Sequence, residues 1–300
     1  MKDTKIWVVA MDFTEMDNNL LKYTYFLSSC LNPSQIHILH VEKEREEGSY
    51  IPSEFEELRH QVTMDSKLKM EHKMEKYFGD TKIKCECHIR SGNPLDEVID
   101  FVKTNSASLV ISGRKKISSG SGVVSDRLSR NLPCDFLLVP ENSVPRLNAI
   151  MVPTDFSSHA TLAMHRANEI KGGNKNIEVF AMHLYAVPWG YSKSGKSFEE
   201  FADIMKLNAE KEMSKWVKSF PSVKPLFKLL EKSAQDEILN TAGNHQVDLL
   251  VMGSKGQTKM SLALLGSNTM KVVKANDSIP LLIVKKEGEN LDFIDALKKV

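Results

Sequence analysis

The chain repeats itself, and the repeat constrains the fold more than any other feature. Residues 5–16 read KIWVVAMDFTEM, and residues 148–159 read NAIMVPTDFSSH. Each is an apolar run that ends in Asp-Phe-(Thr/Ser) and leads into a stretch of helical character, so Asp12 corresponds to Asp155. The next apolar runs, QIHILHVE at 35–42 and IEVFAMHLYAV at 177–187, pair His40 with His183. SASLVISGRK at 106–115 then matches QVDLLVMGSK at 246–255, and DFLLVP at 135–140 matches IPLLIVK at 279–285. Short, β-branched apolar runs alternating with helical stretches predict βαβ units and a parallel sheet. Runs this continuously apolar predict strands covered on both faces. Each copy is about 145 residues, the usual size of one doubly wound domain. The predicted link is the polar, proline-containing stretch Pro140 to Pro145. The expected division is therefore a first domain over 1–143, a second over 144–288 and a tail over 289–300. In the tail, Leu291, Ile294 and Leu297 share one helical face suited to docking.

The totals exclude several classes of function. A net charge of +1 provides no overall field for nucleic acid or an acidic membrane. No apolar run approaches the ~20 residues of a spanning helix. The opening MKDTKIWVVAMD enters a strand at once, without the apolar core and cleavage site of a secretory signal. Four cysteines in 300 residues do not make a disulfide framework. The expected location is the cytoplasm.

The second copy carries the chemistry. Gly253-Ser254-Lys255-Gly256 follows the apolar run, and Gly266-Ser267 completes the spacing G-x2-G-x9-G-S. This places glycines across the carboxyl end of a strand and the start of a helix over Asn268 to Lys274. In open α/β sheets phosphates bind there. Gly253 and Gly256 let backbone N–H groups approach an anion, with a positive φ expected at Gly256. Ser267 offers a hydroxyl, and the helix dipole favours negative charge.

With these residues in place, the chain resembles a tandem universal stress protein over nearly its whole length. The set VPTDFS, HLYAVP, VDLLVMGSKG and the later Gly-Ser is specific when taken together. The resemblance implies two Rossmann-like (adenine nucleotide α-hydrolase-like) α/β domains. Each would be a five-stranded parallel sheet of order 3-2-1-4-5 with helices on both faces, the two forming a pseudo-dimer within one chain. It also implies ATP, with Mg²⁺ bridging its phosphates, as the cofactor of copies with the full motif; the motif does not separate ATP from AMP. Carried over by position, Asp155, together with Pro153 and Thr154, would sit beside adenine and ribose. Leu184 would line the adenine pocket, and Met252 and Gly253 would face the ribose. Lys255, Gly256, Gly266, Ser267 and Asn268 would cradle the phosphates.

The first copy departs from this pattern. Gly113 remains, but Lys116 replaces the second glycine, and Val123 stands where Ser267 stands if Gly122 is matched to Gly266. A degenerate site is expected there. The stretch Ser118 to Gly122, with Arg114, Lys115 and Lys116, offers an alternative anion cradle.

Other signals compete. Gly190 to Ser197 fits the P-loop pattern G-x4-G-K-S. It follows the second strand of its domain, and no later strand ends in the Asp such a site needs. It reads as a flexible Gly/Ser loop, whose Lys193 or Lys196 could swing over bound phosphates. His40 and His183 read as packed, hydrogen-bonded residues. Cys85-Glu86-Cys87-His88 has metal-like spacing, but on a strand His88 points away from the two cysteines. With no second ligand pair in the sequence, no metal site is expected. Met64, Leu68, Met74 and Phe78 read as a helix packing face, and the acidic run from Glu42 to Glu47 as a solvated loop. There is no nucleophile elbow, zincin or kinase motif set. Pro153 to Ser158 lacks the glycines that adenylating relatives carry after their first strand, so no catalytic residue is assigned.

The function expected is a nucleotide-dependent stress-response or signalling module with an unidentified protein partner and no nucleic-acid or membrane partner. A further homodimer is left open. The alternatives are a slow ATPase using the 190–197 loop and a structural protein that binds no nucleotide.

Overall fold

The computed structural model describes residues 5–43, 53–115, 123–257, 265–286 and 289, with the side chains at 53–56, 58, 59 and 123 left aside. The chain forms two compact units, one from Met1 to Pro145 and the other from Arg146 to Glu289. In the first, the strands are β1 (Ile6–Met11), β2 (Gln35–Glu42), β3 (Lys84–Ser91), β4 (Leu109–Arg114) and β5 (Asp135–Pro140). Helices α1 (Met16–Leu31), α2 (Ser53–Phe78), α3 (Pro94–Thr104) and α4 (Val123–Asn131) alternate with them. In the second unit the strands are β6 (Ala149–Pro153), β7 (Glu178–Tyr185), β8 (Val223–Leu229), β9 (Leu249–Gly253) and β10 (Leu281–Val284). They alternate with α5 (Ser158–Lys171), α6 (Phe198–Trp216), α7 (Ala234–Asn244) and α8 (Ser267–Ala275).

The strand order is β3-β2-β1-β4-β5 in the first unit, and the second unit has the equivalent order β8-β7-β6-β9-β10. The pairings given within each unit are parallel. Each unit is therefore the five-stranded, doubly wound order 3-2-1-4-5. The central strands explain why: Trp7, Val8, Val9, Ile150, Met151 and Val152 are almost wholly buried, as a sheet covered on both faces requires. In this order the chain reverses direction across the sheet between β1 and β4, and between β6 and β9. A crevice at the carboxyl ends of those strands is the ligand position of such sheets.

Local sequence sets the helix starts. Ser157 accepts the Ala160 amide at 3.2 Å to cap α5, and Asn93 accepts the Leu95 amide at 2.9 Å to cap α3, whose first residue is Pro94. Asp248 secures the start of the second unit. It is buried, pairs with Arg146 at 2.6 Å and accepts the Asn148 amide at 2.7 Å.

One expectation is corrected here. Met64 and Leu68 do not pack: they are 48% and 59% exposed, and the buried face of α2 uses Met70 and Phe78. The reason is helical phase: at ~100° per residue, Met64 and Leu68 stand about 120° and 160° around the helix from the buried Met70. The stretch 190–197 has local structure within the expected Gly/Ser loop. Tyr191–Ser194 form a 3-10 turn between Gly190 and Gly195, both left-handed, and Ser197 caps α6. The tail Asn290 to Val300, residues 116–122 and most of the acidic run lie outside the described residues. Glu42, at its start, belongs to β2 and accepts the Thr63 hydroxyl.

Candidate functional site

At the switch point of the second unit, β6 ends at Pro153, and Thr154, Asp155 and Phe156 make a sharp turn. Phe156 has φ 62°, and its counterpart Phe13 has φ 59°. A bulky residue in the left-handed region is a genuine outlier. The Phe156 ring stacks on His183 at 4.5 Å, and the His183 Nδ1–H donates to the Thr154 carbonyl at 2.8 Å. In the first unit His40 Nδ1 meets the Met11 carbonyl at 2.9 Å, and its ring lies 4.3 Å from Phe13. The two histidines are turn clamps, as packed histidines should be.

The turn aims the Asp155 carboxylate across the crevice. Its Oδ1 accepts the Ser157 amide at 3.0 Å, and its Oδ2 accepts the Gln257 amide at 2.8 Å. The Gln257 side chain returns a bond to the Asp155 carbonyl. Gly256 lies against this carboxylate: a Cβ there would stand 2.7 Å from Asp155 Oδ2. Its φ is not positive, contrary to expectation, so close approach alone accounts for the glycine. Gly253, at the end of β9, is pressed against α5, and a Cβ would meet the His159 carbonyl carbon at 2.7 Å. At Gly266 a Cβ would lie 3.2 Å from the Ser254 carbonyl, which the Gly266 amide itself reaches at 2.7 Å.

Gly266 is the N-cap of α8 and contributes no side-chain cap, and the first turn of α8 carries no acidic residue. Ser267 and Asn268 are exposed there. Thr269 is buried and donates to the Gly253 carbonyl at 2.9 Å, tying the helix start to the strand end. Met252 is buried in β9, and Leu184 lies one residue before the end of β7. The residues singled out in the sequence thus fall on the carboxyl ends of β6, β7 and β9 and the first turn of α8.

Four partners were not singled out. Gln257 closes on Asp155. The others surround Glu289, whose carboxylate accepts the Ser254 hydroxyl at 2.9 Å and the Lys286 amide at 3.0 Å. It lies 3.3 Å from His159 Nε2 and 3.5 Å from Lys255 Nζ. Burial alone would raise this carboxyl. The bonds from His159, Lys286 and Ser254 and the charge of Lys255 overcome burial and hold it at about 2. Lys255 therefore serves an internal anion.

The first unit differs as its sequence suggests. Lys115 pairs with Asp12 at 2.9 Å, and the Thr14 hydroxyl donates to the same carboxylate at 2.6 Å. Burial opposes them, yet these contacts hold the Asp12 carboxyl below its ordinary range. Arg114 is buried and lies 3.5 Å from Asp126. Two of the cations considered for an anion cradle are thus already committed to carboxylates. A cavity of ≈ 480 Å³ nevertheless lies at this switch point, lined by Met11, Asp12, Met16, His40, Gly113 and Lys115 among others.

In the P-loop-like stretch the final serine caps a helix. The Ser197 hydroxyl accepts the Glu200 amide at 3.1 Å, and Glu200 returns a bond to the Ser197 amide at 2.7 Å, a reciprocal capping box. The cap uses one acceptor position of this hydroxyl for the helix itself.

Two doubly wound α/β units in tandem, one with a glycine-lined strand-to-helix loop at its switch point, define the class of protein. The universal stress protein family model matches residues 4–140 and again 147–285. The chain belongs to the universal stress protein family. A universal stress protein of Methanocaldococcus jannaschii is 30% identical over 156 residues, covering 46% of this chain and 95% of that protein. One from Mycobacterium bovis is 22% identical over 225 residues, 69% of this chain and 71% of its own. The crystal structure of a universal stress protein from Archaeoglobus fulgidus shares the fold, with a TM-score of 0.68 at 17% identity over 94% of this chain and 99% of that one. Among the described residues, no helix is long and apolar enough to cross a membrane.

Proposed function

We propose that the second domain binds one adenine nucleotide, ATP with Mg²⁺, and that occupancy is the signal the protein conveys to a protein partner. The observation that carries this reading is the meeting of Gly256 with the Asp155 carboxylate beside the uncapped start of α8. A side chain at Gly256 would fill this approach. A helix start with no side-chain cap and no acid favours phosphate. Gly256, Gly266, Ser267 and Asn268 would hold the phosphates, and Asp155, Thr154 and Pro153 the adenosine side, with Leu184, Met252 and Gly253 lining the pocket. Lys255 would be shared between phosphate and Glu289. Mg²⁺ would neutralise phosphate charge. The first domain, with Asp12 bound by Lys115, is assigned a structural role.

The test compares two double variants by calorimetric titration with MgATP. Ser267→Ala with Gly266→Val should nearly abolish binding. Lys196→Ala with Ser197→Ala should change affinity less than about fivefold, under ~1 kcal/mol, while costing α6 about 1 kcal/mol of cap. The wild-type stoichiometry should be near one per chain. The reverse ranking of the two variants, or two equal sites, would overturn the assignment. Negligible steady-state phosphate release separates a binding module from an ATPase.

A further inference from the structure

Away from the switch points, β2 and β3 bring three metal-ligating side chains together. Parallel pairing sets His37 opposite Glu86, and His88 lies two residues further along β3. Alternation along a strand then puts Glu86 and His88 on the same face. His37 Nδ1 and His88 Nε2 are 2.9 Å apart, and Glu86 Oε2 lies 3.6 Å from each. Among the described residues this is the one such group of three.

We propose that His37, Glu86 and His88 bind one divalent transition-metal ion of the zinc class on the edge strand of the first domain. Ligand atoms ~2.0–2.1 Å from a tetrahedral ion stand about 3.3 Å apart. The three observed separations bracket that value, so the ion requires shifts of a few tenths of an ångström.

The surroundings orient the ligands. Lys84 Nζ holds Glu86 Oε1 at 2.7 Å and leaves Oε2 towards the imidazoles. The Phe101 ring stands 5.3 Å from His37 and 4.9 Å from His88, a wall beside both rings. Arg90 lies over the Phe101 ring and pairs with Glu97 and Asp100, which offset its charge. His37 is buried, whereas Glu86 is 38% exposed, so the fourth position opens to water. Burial lowers both imidazole pKa values, which favours the neutral, ligating form. Two nitrogens and one carboxylate oxygen suit Zn²⁺, Co²⁺ or Ni²⁺ better than Mg²⁺ or Ca²⁺. Bound there, the ion would fasten the edge strand β3 to β2.

The test is titration of the untagged full-length chain, first dialysed against chelator, with Zn²⁺ and then Co²⁺ at neutral pH. One ion per chain should bind, with Kd on the order of 10 µM or tighter. The Co²⁺ spectrum should lack thiolate charge-transfer bands. Glu86→Gln and His88→Gln should each weaken binding at least tenfold, and Cys85→Ser with Cys87→Ser should leave it unchanged. Circular dichroism checks each fold, and the exposed Glu86 position keeps the test usable if the His88 variant misfolds. Absence of binding at 100-fold higher Zn²⁺ than that Kd would overturn the proposal. So would equal affinity in a folded Glu86→Gln chain, or loss confined to the cysteine variant; the histidines are then only a hydrogen-bonded pair.

Discussion

Replacing Glu289 by Gln tests the buried carboxylate at the heart of the second domain. The carboxyl titrates at about 2 in the folded chain and has an ordinary value of 4.5. Because the folded value is the lower one, its contribution to stability is complete above the ordinary value and fades as pH falls towards the folded one. The difference corresponds to about 3 kcal/mol at pH 7 and to roughly half of that or less at pH 3, by proton linkage. Glu289→Gln keeps the shape but has no charge to titrate. Urea unfolding of both proteins at pH 7, 4 and 3 should therefore show wild type ahead by about 3 kcal/mol, with the gap halving by pH 3. A constant offset independent of pH would reflect altered packing. A gap that does not shrink between pH 7 and pH 3 would refute the argument that charge, held by His159, Lys286, Ser254 and Lys255, sets this stability.

Other perturbations have equally definite outcomes. Gly253→Ala drives a methyl into the His159 backbone and should cost about 1–3 kcal/mol. The matching Gly113→Ala meets only the flexible Met16 thioether and should cost under about 1 kcal/mol; thermal unfolding ranks the pair. Asp248→Ala removes the partner of Arg146 and of the Asn148 amide and should cost about 1.5–3 kcal/mol, measured by denaturant unfolding.

The fold was legible because its evidence is local and written twice. Apolar runs such as IWVVAM and DFLLVP mark β1 and β5, and the spacing between runs marks the crossovers. The glycine motif located the residues around Asp155 for the same reason. The Glu289 cluster was not legible. Its carboxylate joins Ser254 and His159 across long stretches of chain, and no periodicity announces such a contact. The Cys85-to-His88 spacing drew notice for its cysteines, but His37 escaped it because only strand register sets it opposite Glu86. Met64 and Leu68 misled because their spacing sets them on a different side of α2 from the buried Met70.

The left-handed phenylalanine after Asp12 and Asp155 is present in both domains, while the glycine-lined loop belongs to one. A backbone outlier of this kind costs about 1–3 kcal/mol and usually signals a functional site. Here the first domain acts as an internal control. It keeps the strained turn and the His40 clamp although its aspartate is occupied by Lys115. The turn is therefore inherited scaffold, common to both halves whatever they bind. The Asp-Phe turn thus marks what the two halves share, and the glycines that follow the fourth strand mark where they differ.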